Sequence, residues 1–220
     1  MDHVVSGVAK FQREVFPDKA DSFRELATGQ QPEVLFITCA DSRIDPNLIT
    51  QTEPGELFIC RNAGNVVPPH SNQTGGMTAS IEYAVAVLGV EHIIVCGHTD
   101  CGAMKGALNP QSLESLPHVR EWLGHCRAAV EVVREQRGEL GAEHLDCVTM
   151  ENIALQMQHL RTHPTVAAKL AAGKVTLHGW LYNIGTGEVL RYDAESRAMV
   201  PLSEVDLPSG RSQGGSRAQA

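Results

Sequence analysis

Cys39 stands in the segment CADSR, and His98 and Cys101 stand in HTDC. Two thiolates and an imidazole form a soft to borderline donor set of the kind that suits zinc. The two segments supply three ligands and no convincing fourth. A structural zinc site is closed by four protein donors, whereas a catalytic one keeps a position for water. The donor set therefore predicts a zinc-bound water. Two thiolates cancel the formal charge of the ion and make it a weaker acid than three neutral imidazoles would. The water then needs other help to lose its proton near neutral pH. Asp41 and Arg43, in the same CADSR segment, can give it. The carboxylate can accept a hydrogen bond from the bound water or hydroxide, and Arg43 can grip the carboxylate through a bidentate pair that keeps it ionised. An aspartate and an arginine two residues apart are by themselves an ordinary loop pair. Beside a metal cysteine the catalytic role is the stronger reading.

Each segment follows an apolar run that reads as a buried strand, Val34–Thr38 before Cys39 and Glu91–Gly97 before His98. A further strand is predicted at Glu56–Arg61. Between them, Asp45-Pro46 opens a short helix, Asn62–Gly76 reads as a loop, and Thr78–Leu88 is a helix ending on Gly89. Strand–helix–strand order implies parallel crossovers. Ligands of such sheets bind beyond the carboxyl ends of the strands, where Cys39 and His98 fall. Cys101 is one turn beyond His98 if a helix begins there. Upstream, Val4–Phe16 and Asp18–Thr28 carry helical spacing, are separated by Pro17 and stop at Gly29. Downstream come helices near Val119–Gln136, Cys147–Arg161 and Thr165–Ala172. Val175–Ile184 and Glu188–Asp193 then flank Gly185-Thr186-Gly187 as a hairpin. The predicted fold is α/β, with a mostly parallel central sheet, flanking helices, an N-terminal helical arm and a C-terminal antiparallel hairpin at the sheet edge. Residues 1–207 form one domain, with 1–29 as the arm, and the Gly/Ser-rich tail 208–220 is disordered.

Composition narrows the function. The chain of 220 residues can bury a sizeable core. A net charge of -8 and the lack of a basic stripe argue against nucleic acid. No apolar run approaches the ~18 residues that span a membrane, and the N-terminus lacks the features of an export signal, which predicts a cytoplasmic protein. Cys60, Cys96, Cys126 and Cys147 then read as small buried hydrophobes rather than disulfide partners. Cys96, two residues before His98, is the only competing ligand and ranks below Cys101.

CADSR, EPGELFICRNAGN (Glu53–Asn65), SIEYAV (Ser80–Val85), CGHTDCGAMKG (Cys96–Gly106) and HGWLYNIGTGEV (His178–Val189) together resemble the β-class carbonic anhydrases. The resemblance runs from about Phe11 to about Leu202 and is to the plant-like branch. It implies reversible hydration of carbon dioxide to bicarbonate and a proton, by attack of zinc-bound hydroxide. One zinc per chain would be held by Cys39, His98 and Cys101, with Asp41 and Arg43 as the catalytic dyad. It implies pocket roles for Gln30, Phe58, Ala63 and Tyr83, with Gln30 reaching the neighbouring subunit's pocket. The Gly102 N–H, at a helix start, could also donate to an anion. It implies a homodimer as the smallest unit, with a tetramer or octamer open. In one branch of the family a bicarbonate pocket, using a tryptophan and a glycine just before the first zinc cysteine, favours a closed form with the aspartate on zinc. This chain has Phe36 and Thr38 there, which predicts an open site with Asp41 on Arg43. Hydrolysis of carbon disulfide or carbonyl sulfide, or a low-turnover scaffold role, are the competing readings.

Overall fold

The apolar runs fold as central strands of a six-stranded sheet in the computed structural model, which describes residues 1–72 and 75–202. β1 (Val34–Cys39) and β3 (His92–His98) lie side by side, and in each only the first residue escapes full burial. Continuous burial on both faces is what a parallel sheet under two helical layers demands. β2 (Leu57–Asn62) pairs with the outer side of β1, and β4 (Thr176–Tyr182) with the outer side of β3, all parallel. β5 (Val189–Asp193) and β6 (Ala198–Pro201) extend the sheet antiparallel, giving the order β2-β1-β3-β4-β5-β6. The expected hairpin is present, but its first strand is the fourth parallel strand. Alternation along a strand reports its faces, not the direction of its neighbours, so the sequence pattern could not separate the two cases. The final strand, AMVP, carried no signal of its own.

The chain leaves β1 through α4 (Pro46–Thr50) to reach β2. It then returns across β1 through α5 (Gly76–Glu82), which continues as a π turn over Tyr83–Leu88, to reach β3. Asp45 caps α4 as its motif suggested, accepting from the N–H groups of Asn47 and Leu48. The winding direction reverses between β1 and β3, which opens a crevice at their carboxyl ends. On one face, Leu35, Ile37, Ile93 and Val95 pack against Ile81, Val85, Ile153, Leu160 and Val166, from α5 and its π turn, α9 (Leu145–Thr162) and α10 (Pro164–Ala171). On the other, Phe36, Ile94 and Cys96 pack against Met104, Leu123, Val130 and Val133. Those last residues belong to α6 (Gly102–Leu108), α7 (Pro117–Leu123) and α8 (Arg127–Arg137). The single helix expected over Val119–Gln136 is thus two, divided by a 3-10 turn at Gly124–Cys126.

Two glycines set how closely α9 approaches the sheet. A Cβ on Gly97 would stand 2.9 Å from Ile153 Cδ1, and one on Gly179 would stand 2.8 Å from Ile153 Cγ2.

At the N-terminus, α1 (Asp2–Lys10), a π turn at Phe11–Val15, α2 (Phe16–Asp18) and α3 (Ala20–Leu26) contain no buried residue. Val4, Val5 and Val8 are exposed, while Phe11, Phe16 and Phe23 stack on one another with centroids 5.4–6.2 Å apart. Pro17 does not divide the two helices; the break comes at Lys19, where φ is -110°. Proline cannot donate to the preceding turn. The π turn just before it, in which the Phe16 N–H reaches Phe11 O, gives the ring room without ending the helix. Among the described residues no helix is long and apolar enough to cross a membrane. The expected disordered tail from Pro208 lies outside the described residues.

Candidate metal centre

β1 ends on Cys39 and β3 on His98, so the register of the sheet sets both at the mouth of the crevice. Cys101 is the residue that caps α6, in extended backbone, just after a turn in which Asp100 takes φ 58°. That turn is bolted to the end of β4: the Thr99 N–H donates to Tyr182 O at 3.0 Å, and the Ile184 N–H donates to Thr99 Oγ1 at 3.1 Å. The ligand atoms of Cys39, His98 and Cys101 all lie within 4.8 Å of one another, and all three residues are buried.

The donor chemistry fits a metal. His98 Nδ1 lies 2.9 Å from the Thr99 carbonyl, which can only accept, so Nδ1 carries the proton and Nε2 the free lone pair. That Nε2 is buried without a hydrogen-bond partner. An orphaned acceptor facing two sulfurs is satisfied by a cation. The sulfurs of Cys39 and Cys101 are 4.0 Å apart. The Cys101 hydrogen bond pushes the Cys39 thiol down, against burial, with help from His98 and the N–H groups of Gly64 and Asp41. Cys101 is pushed up by the Cys39 thiolate beside it and by burial. A divalent ion bound between the two sulfurs would displace the protons they carry. Cys96, the competing ligand, lies outside this cluster, and burial pushes its thiol up to about 12. Cys60 and Cys126 are likewise buried, Cys147 is half-buried, and no cysteine is in a disulfide.

Asp41 and Arg43 form the fork that the sequence suggested. Asp41 Oδ1 accepts from the Arg43 N–H and Nε, each at 2.9 Å, and Oδ2 accepts from Nη2 at 2.8 Å. The Arg43 side chain, then its N–H, hold the Asp41 carboxyl well below the usual carboxylate range. Asp41 Oδ2 stands 3.8 Å from His98 Nε2, at the rim of the donor set.

Two anchoring residues escaped sequence reasoning. Asp100 takes Arg43 Nη1 at 2.9 Å on the side away from Asp41, and also pairs with Lys105. Arg61 donates to the carbonyls of Cys39, Asp41 and Ile44 at 2.7–3.0 Å, fixing the CADSR loop. An arginine ending the apolar run LFIC was the available signal for Arg61; Asp100 offered none beyond its place in HTDC.

The expected pocket residues are spread more widely. Phe58 and Tyr83 pair with ring centroids 6.1 Å apart. Ala63 is exposed, and its carbonyl accepts the Trp122 indole N–H at 2.9 Å. Gly102 opens α6 beside Cys101, with open space where a Cβ would stand. Gln30 lines a surface hollow with Glu25, Leu26 and Gln31 at the end of α3. Among the described residues no hydrogen bond or ring contact links Gln30, Phe58 or Tyr83 to the three metal-site residues.

A mostly parallel sheet with a buried Cys–His–Cys set at its switch point is the build of an α/β metalloenzyme. Comparison with known proteins narrows the class to one family. The family model described as carbonic anhydrase matches residues 34–189. A carbonic anhydrase of Pseudomonas aeruginosa is 46% identical over 220 residues, covering 100% of this chain and 99% of the relative. The solved structure of the β-carbonic anhydrase CcaA matches with a TM-score of 0.89 at 44% identity, over 92% of this chain and 99% of that one. One from a study of two tetrameric β-carbonic anhydrases of Sordaria macrospora matches with a TM-score of 0.77 at 30% identity, over 86% of this chain and 95% of that one. The chain belongs to the carbonic anhydrase family, in its β class, and is an enzyme of that family.

Proposed function

We propose that this enzyme hydrates carbon dioxide reversibly to bicarbonate and a proton, with zinc held by Cys39, His98 and Cys101. The observation that carries the reading is the buried, unpartnered Nε2 of His98 facing the two sulfurs. When bound, zinc would lower the pKa of water, and the help of Asp41 would make a nucleophile available near neutral pH. Asp41 places a carboxylate oxygen 3.8 Å from the His98 Nε2, and it is there to accept a proton-bearing group. Arg43 occupies both carboxylate oxygens on their far side, so the carboxylate cannot rotate and its remaining lone pairs point inward. Asp100 and Arg61 hold this arrangement from behind. The resting form is the open one, with Asp41 on Arg43.

Phe58, Ala63 and Tyr83 line the apolar approach for a small uncharged substrate, and the Gly102 N–H serves the product anion. Gln30 completes the pocket of a neighbouring subunit, which is why it stands apart from the site within its own chain. The functional unit is a homodimer or a larger assembly of dimers, closed by the N-terminal arm, whose Val4, Val5 and Val8 stay exposed among the described residues. A reducing cytoplasm suits the two thiolate ligands. Stopped-flow hydration on purified protein, before and after chelation and on return of zinc, tests the reading. Activity should vanish with the metal and come back with it; activity indifferent to the chelator would refute it.

A further inference from the structure

The two peptide groups on either side of Gly64 connect the metal site to two helices, and the first of them joins Ala63 to Gly64. Its N–H, that of Gly64, donates to Cys39 Sγ at 3.3 Å. Its carbonyl, that of Ala63, accepts the indole N–H of Trp122, on α7, at 2.9 Å. A hydrogen bond received at the carbonyl polarises the amide and strengthens the bond that its N–H gives, by roughly 10–30% for each link in such a chain.

The next carbonyl, that of Gly64, accepts from Asn152 Nδ2 at 3.1 Å. Asn152 Oδ1 in turn accepts from Gln156 Nε2 at 2.8 Å, and Gln156 Oε1 accepts the Val67 N–H at 2.8 Å. Both amide side chains project from α9 and are 0% exposed. Buried amides cost stability unless each is satisfied, and these spend their hydrogen bonds on the loop that faces Cys39.

The loop cannot fix its own position by side-chain packing at the critical residue. Gly64 has φ +82°, and a Cβ there would stand 2.9 Å from Met104 Cε and 3.0 Å from Ala103 Cβ. The donor to Cys39 is therefore bare backbone, and its aim depends on what grips the peptide groups on either side.

We propose that Trp122 and Asn152 are positioning residues that aim the Gly64 N–H at the Cys39 sulfur and so limit the charge this thiolate gives to the metal. The proposal rests on the metal reading above. Partners behind a metal ligand set its donor strength, and their loss typically costs about 10–100-fold in affinity or activity. The effect of Trp122, passed through one peptide group, should fall at the lower end of that range.

The test uses the cobalt(II)-substituted enzyme and its sulfur-to-cobalt charge-transfer band. Trp122→Phe keeps an aromatic ring and removes the N–H; Asn152→Leu removes the grip on the Gly64 carbonyl. A thiolate with a weakened hydrogen bond holds its electrons less tightly, so the band should move to longer wavelength in both variants. Hydration by their zinc forms should drop about 10-fold. Val133→Ala, a core truncation in the same helical layer, should lower stability and leave the band in place. If Asn152→Leu fails to fold, Trp122→Phe decides alone. A wild-type band that Trp122→Phe leaves unmoved overturns the proposal and spares the metal reading. Cobalt bound by the wild type with no thiolate band overturns the ligand assignment, and the proposal with it.

Discussion

Gly97→Ala tests whether the packing of α9 on β3 places His98. Gly97 precedes that ligand, and its backbone angles suit any residue. Alanine there stiffens the unfolded chain, which should stabilise the fold by about 0.5 kcal/mol. Against this, the new Cβ would lie 2.9 Å from Ile153 Cδ1, 3.1 Å from Ile153 Cγ1 and 3.3 Å from Thr149 Cγ2. Ile153 is fully buried and cannot swing away. Overpacking of a tight core costs about 1–3 kcal/mol. The cost outweighs the gain, so the net loss should be about 1–2 kcal/mol. Urea unfolding should show a lower midpoint with an unchanged slope. Ile153→Val removes the nearest clashing atom and by itself should cost about 1 kcal/mol. In the double variant the two losses should fall short of additivity by about 1 kcal/mol, because the second change relieves the first. The shift of β3 should also weaken zinc retention in Gly97→Ala and restore it in the double variant. A single variant as stable as wild type, or strictly additive losses, would refute the packing argument.

Asp41→Asn should keep its zinc and lose roughly 100–1000-fold in hydration rate, since an amide presents a donor where an acceptor is needed; near wild-type turnover would reduce the pair with Arg43 to a structural one. The imidazoles of His159, His163 and His178 are each held below the ordinary histidine value by burial. The unfolded chain then binds protons that the folded one refuses, so stability is full above an ordinary value of about 6.5, declines as the pH falls below it, and levels off under the lowered folded values. Urea midpoints should be lower at about pH 5.5 than at about pH 7.5, and His178→Gln should narrow the gap; equal midpoints at the two pH values would contradict this. Val5→Glu with Val8→Glu should shift the protein towards monomer in sedimentation and reduce activity with it, whereas a fully active wild-type monomer would overturn the role given to the arm.

The strands and the cluster of Cys39, His98 and Cys101 were legible because their signals are local. The two central parallel strands, β1 and β3, are buried under helices and must be apolar over several residues, and soft donors at their ends stand out against that background. Burial of Cys96 and the capping of α4 by Asp45 likewise followed from adjacent residues. What escaped depended on which distant segments meet. Asp100, Arg61, Trp122 and Asn152 are polar or amphipathic residues in stretches where such residues ordinarily face water. Only the folded chain shows them gripping the CADSR and Ala63–Gly64 loops. Pro17 was read as a boundary because the π turn that accommodates it leaves no mark in the residue pattern. The direction of β4 was hidden because pairing partners lie far apart in the chain. The place proposed for Gln30, in a neighbour's pocket, depends on a second chain and so on no contact within this one.

Zinc content and carbon dioxide hydration measured together on wild type, Cys39→Ser and Cys60→Ser test the central claim most directly. The account predicts one zinc per chain and full activity for the wild type and Cys60→Ser, and joint loss of metal and activity for Cys39→Ser. Full zinc occupancy with undiminished hydration in Cys39→Ser would contradict it.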